Sequence, residues 1–139
     1  MVPQNWPGVA LLRIASLYLV TSLVVGVFMA ATHNHALASV HSHIGVLGWA
    51  TMALTGLAYL VVPGLASSRL AAAHFWLHNA GLPVMLGALA FLVQTGDTRA
   101  EPVIAIGSIL VLVALACFTA NVWRKVNAAA SAGSSTWVA

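Results

Sequence analysis

A chain of 139 residues that is 61% hydrophobic, with only five basic and two acidic side chains, cannot cover a water-facing surface. A soluble domain needs about a quarter of its residues charged, so the solvent is a lipid bilayer. The net charge of +3 comes from scattered residues that form no patch, which excludes nucleic acid as a partner.

A spanning helix needs roughly 20 apolar residues, so the length accommodates four and little else. The fold class expected is an all-α integral membrane four-helix bundle. The apolar stretch from Ile14 to Ala31 exceeds the ~7–15 residues of a signal-peptide core and reads as a retained helix. Spans are expected near 10–32, 38–62, 70–94 and 102–123, within one domain over 1–126. The first break is the segment HNHALAS from His33 to Ser39. The second holds Pro63, Gly64, Ser67, Ser68 and Arg69, and the third runs from Gln94 to Glu101 with Gly96, Asp97 and Arg99. Pro102 suits the first turn of the last helix. The small, polar residues 127–139 read as a loose, flexible tail. Cys117 is the single cysteine, so no disulfide forms within the chain, and it reads as a small core or lipid-facing residue.

Lysine and arginine placement sets the expected direction. Arg13, Arg69, Arg124 and Lys125 fall on one side and Arg99 alone on the other, which puts both termini in the cytoplasm. Trp6, Trp76 and Trp123 then lie toward cytoplasmic helix ends, as interfacial anchors do.

The chemistry rests on six histidines, at 33, 35, 41, 43, 74 and 78. Ionisable residues inside a span are costly and usually face a bundle interior or a functional site, and neutral imidazole ligates haem iron, copper and zinc. His41 and His43 point about 200° apart on a helix, whereas His74 and His78, four residues apart, share a face. From the rise per residue, His78 lies about 10 Å in depth from His43 and about 13 Å from His41. The same histidines could simply make interhelical hydrogen bonds, with His33 and His35 solvated in their loop. Four histidines within the spans of a chain with two acids favour a ligand role. His41 and His78 are the foremost candidates for a haem or metal, then His43 and His74, then His33 and His35.

The second span reads HSHIGVLGWATMALTGLAYLVVP from His41 to Pro63, with Gly56 fifteen and Pro63 twenty-two residues after His41. It resembles the second helix of haem-copper oxidase subunit I, in which a low-spin haem histidine precedes a glycine and a proline-ended turn. The pair HSHIGVLGW (His41–Trp49) and HFWLHNAGLPVM (His74–Met85) resembles, over roughly residues 20–95, short four-helix bacterial proteins related to oxidase and nitric oxide reductase large subunits. The resemblance implies haem b with His41 as one axial ligand, and His78 is the preferred second. His43 and His74 would line the pocket or hold copper or another transition metal. The later helices that supply the high-spin haem and copper ligands are absent from this chain, so oxygen reduction with proton pumping is not expected of it.

The resulting expectation is a haem b protein of the bacterial inner membrane, in electron transfer from quinol or in binding nitric oxide or oxygen. The alternative is a haem or copper handling factor for a respiratory oxidase or reductase, and a third reading is a structural subunit with vestigial histidines. Small residues (Gly81, Gly87, Ala88, Ala105, Gly107, Ser108) permit close approach and suit a homo-oligomer, with a ligand from a neighbouring subunit, or tight packing within one chain. The topology has its own test: reporter fusions at the C-terminus and in the His33–Ser39 loop should report opposite sides, the C-terminus cytoplasmic. A periplasmic C-terminus would reverse the assignment.

Overall fold

The computed structural model describes residues 5–134, which are mostly helical with no strand among them. The first helix is Trp6–Thr32, the second Ala38–Val61, the third Arg69–Thr95 and the fourth Glu101–Ser134, entered through one 3₁₀ turn at Thr98–Ala100. All four are long and apolar enough to cross a membrane, so the chain is an all-α, integral membrane four-helix bundle.

The ends are set by local chemistry. His33 closes the first helix with φ 52°, a left-handed conformation that histidine tolerates better than most residues. Ser68 caps the third helix, its Oγ accepting from the Ala71 N–H at 3.0 Å. Gly96 ends that helix with φ 71°, and its N–H donates to the Leu92 carbonyl. The fourth helix continues through the backbone of residues 127–134, where the alanine-rich sequence has high helix propensity. The rest of the anticipated tail, 135–139, lies outside the described residues.

Periodicity did not anticipate the middle of the second helix. Residues Ile44–Thr51 form a π-helix, a wider turn that often marks functional sites. Gly48 lets this segment lie against the first helix, since a β-carbon there would stand 2.6 Å from Tyr18 Cγ.

The bundle is two close-packed hairpins, first helix with second and third with fourth. A β-carbon on Gly8 would come within 2.9 Å of the Gly56 carbonyl oxygen, and one on Gly107 within 2.6 Å of the Met85 nitrogen. Gly81 and Gly107 therefore serve packing within the chain, while Gly87 meets nothing within 4 Å. Aromatic contacts join the hairpins: Trp6 on Phe75 at 4.8 Å and Tyr59 on Phe118 at 5.6 Å between centroids. Leu17, Phe28, Ile106 and Leu112 are exposed, as lipid-facing side chains must be. Arg99 pairs with Asp97 at 2.6 Å, and that hydrogen-bonded guanidinium holds the Asp97 carboxyl below its usual range.

Gly107→Ala should force the third and fourth helices apart and lower stability by about 1–3 kcal/mol, read as a lower unfolding midpoint in detergent. Gly87→Ala, with open space at its β-carbon, should not lower the midpoint.

Candidate functional site

The third helix brings His74 and His78 together in the driest part of the bundle. Both are fully buried, with ring centroids 5.5 Å apart and planes nearly perpendicular. Each ring has one nitrogen with a partner and one without.

His78 Nε2 lies 3.1 Å from the carbonyl oxygen of Leu47, in the π-helical segment. A carbonyl only accepts, so Nε2 carries the proton and Nδ1 keeps a lone pair. That Nδ1 is sealed from solvent and has no hydrogen-bond partner.

His74 is tied by Nδ1 to the Tyr59 hydroxyl at 3.0 Å, and its Nε2 is likewise sealed and without a partner. A hydroxyl both donates and accepts, so His74 has two states. When Tyr59 donates, His74 carries its proton on Nε2. When Tyr59 accepts, His74 presents an Nε2 lone pair. Asn121, also buried, donates from Nδ2 to the Leu65 carbonyl at 2.9 Å. Phe118 closes the cluster, 5.3 Å from the His74 ring. Hydrogen bonds therefore tie Tyr59 to His74 and His78 to Leu47, with no hydrogen bond between the two imidazoles.

The other histidines lie elsewhere. His41 is half-buried against the first helix, its Nδ1–H donating to the Ser22 carbonyl at 3.0 Å with the Ser22 hydroxyl 3.3 Å away. Gly26 makes room for that ring, since a β-carbon would come within 3.1 Å of Cε1. His43 donates from Nδ1 to its own helix at the Ser39 carbonyl, 2.7 Å away, and lines an open groove of about 260 Å³ with Ser42, Val46 and Leu47. His41 and His43 therefore each keep a lone pair on Nε2. His33 and His35 are exposed in the loop. Among the described residues, no three His, Cys, Asp or Glu side chains gather as a metal cluster.

A haem clamped between His41 and His78 does not fit this arrangement. The Leu47 carbonyl occupies one nitrogen of His78, and the ring has no accessible surface. No macrocycle reaches either nitrogen unless the second and third helices part. His74 Nε2 and His78 Nδ1 are the two buried nitrogens left without a partner, on rings whose centroids are 5.5 Å apart. The hydrogen bonds on the opposite nitrogens are those that orient metal-ligating imidazoles.

Tyr59 and Asn121 were not among the sequence candidates. The available signal was that each is a polar side chain within an apolar span, where such groups find partners on other helices. No protein-family model matches the chain, and no curated protein or solved structure matches it.

Proposed function

We propose that this chain holds one copper(I) ion between His74 Nε2 and His78 Nδ1 and handles it for a respiratory oxidase or reductase of the bacterial inner membrane. The observation that carries the proposal is the pair of sealed imidazole nitrogens, adjacent on one helix face and without partners. Neutral imidazole is a transition-metal ligand. Two neutral ligands in a dry interior suit a singly charged ion, because a doubly charged one would need anionic ligands to offset its burial. The resemblance of the second and third helices to oxidase and nitric oxide reductase subunits supports the respiratory assignment.

Tyr59 is a positioning residue in this reading. When the Tyr59 hydroxyl accepts the His74 Nδ1–H, the Nε2 lone pair of His74 would be free to hold the ion.

Haem b is the second reading, favoured by His41. Its Nδ1–H is held by Ser22, the arrangement that orients an axial histidine, and its ring is only half-buried. A second axial ligand would then come from a neighbouring subunit, and the site would transfer electrons or bind nitric oxide or oxygen.

Purified protein titrated with copper(I) against a chromogenic chelator should bind one equivalent. His74→Ala and His78→Ala should each abolish it, and His33→Ala and His35→Ala should leave it intact. Tyr59→Phe should keep the stoichiometry and weaken affinity about 10–100-fold, as loss of a partner to a metal ligand does. Full binding by His78→Ala would overturn the copper proposal. A red protein with a Soret band, lost in His41→Ala, would establish the haem reading instead.

A further inference from the structure

At the end of the bundle away from the histidine loop, a cavity of about 450 Å³ is lined by Ser68, Arg69, Leu70, Asn121, Arg124 and Lys125. Three of the five basic side chains of the chain converge there. The chain has only two acidic side chains, Asp97 and Glu101, and both lie at the opposite end of the fourth helix. From Glu101 to Arg124 the helix rises about 35 Å, several screening lengths at physiological ionic strength. Asp97 is also already paired with Arg99. No side chain of this protein can neutralise the three cations.

The backbone adds to the positive field. The third helix begins at Arg69, so its N-terminus opens beside the cavity, where a macrodipole favours an anion. Lys125 reaches over the turn at Gly64, its Nζ 3.3 Å from where a β-carbon would project. Asn121, 2% exposed, forms part of the wall. Leu70 lines the cavity, and the exposed Trp123, next to Arg124 in the chain, is of the side-chain type enriched at membrane interfaces.

We propose that this cavity binds the phosphate group of an anionic phospholipid headgroup, with Arg69, Arg124 and Lys125 as its cationic contacts. A phosphodiester supplies the missing counter-charge, accepts from guanidinium groups, and arrives tethered to acyl chains that match the apolar helix faces. The inference stands apart from the copper site, since it shares no ligand with His74 or His78.

The test uses the full chain, delipidated in neutral detergent and titrated separately with phosphatidylglycerol and phosphatidylcholine, with bound lipid counted by native mass spectrometry. Phosphatidylglycerol should be retained preferentially. Arg69→Gln, Arg124→Gln and Lys125→Gln should each weaken that retention about five-fold, equivalent to ~1 kcal/mol per basic residue at a membrane surface. Arg13→Gln, in a separate cavity with Asn5, Trp6, Val9 and Ala10, should change it little. Equal retention of the two lipids would overturn the proposal, as would an Arg13→Gln effect as large as that of Arg124→Gln. A third arm adds inorganic phosphate to protein saturated with phosphatidylglycerol. Persistence of the lipid at millimolar phosphate supports the headgroup, and its complete displacement would assign the cavity to soluble phosphate.

Discussion

An imidazole buried in a bilayer has one proton to place, and in this bundle backbone carbonyls decide where it goes. The contact from His78 Nε2 to the Leu47 carbonyl is the governing instance. It fixes the tautomer of His78, joins the third helix to the π-helical part of the second, and leaves Nδ1 as an unpartnered acceptor in the dry interior. Leaving such an atom unpaired costs about 1–3 kcal/mol, so the arrangement favours any small species that can satisfy it. His74 adds a second unpartnered nitrogen one helical turn away, and its Tyr59 partner can donate or accept. The pair is therefore adjustable on one side and fixed on the other.

The two ends of the bundle carry different chemistry. The end with His33 and His35 in its loop and His41 at the start of the second helix also holds Asp97, Arg99 and Glu101, its charges nearly balanced. The other end gathers Arg69, Arg124 and Lys125 without an acid. Between them the helices approach through glycine pairs, Gly8 with Gly56 and Gly81 with Gly107, because association in lipid depends on close packing more than on apolar burial.

Much of this architecture is legible in the residues themselves. Apolar run lengths place all four helices, and Pro63, Gly64 and Gly96 mark where the chain turns. The shared face of His74 and His78 follows from their spacing. The partner of each histidine does not, because backbone carbonyls have no signature in sequence and Leu47 acts through its main chain. Nor does spacing indicate that His41 leans on Ser22 and Gly26 of the first helix rather than toward His78. Tyr59 and His74 lie fifteen residues apart on the two helices that flank the turn at 62–68, a contact that depends on how the second and third helices pack. The two segments that carry the resemblance to oxidase helices, His41–Trp49 and His74–Met85, meet where His78 contacts the Leu47 carbonyl.

Nitrogen-15 NMR of histidine-labelled protein in detergent tests the proton placement on which the copper site depends. The account predicts that metal-free His78 is the neutral Nε2–H tautomer. On adding copper(I), it predicts that His78 Nδ1 and His74 Nε2 shift as metal-bound nitrogens while His74 keeps its proton on Nδ1. A His78 ring protonated on Nδ1, or copper(I) that perturbs His41 and His43 and leaves His74 and His78 unchanged, would contradict it.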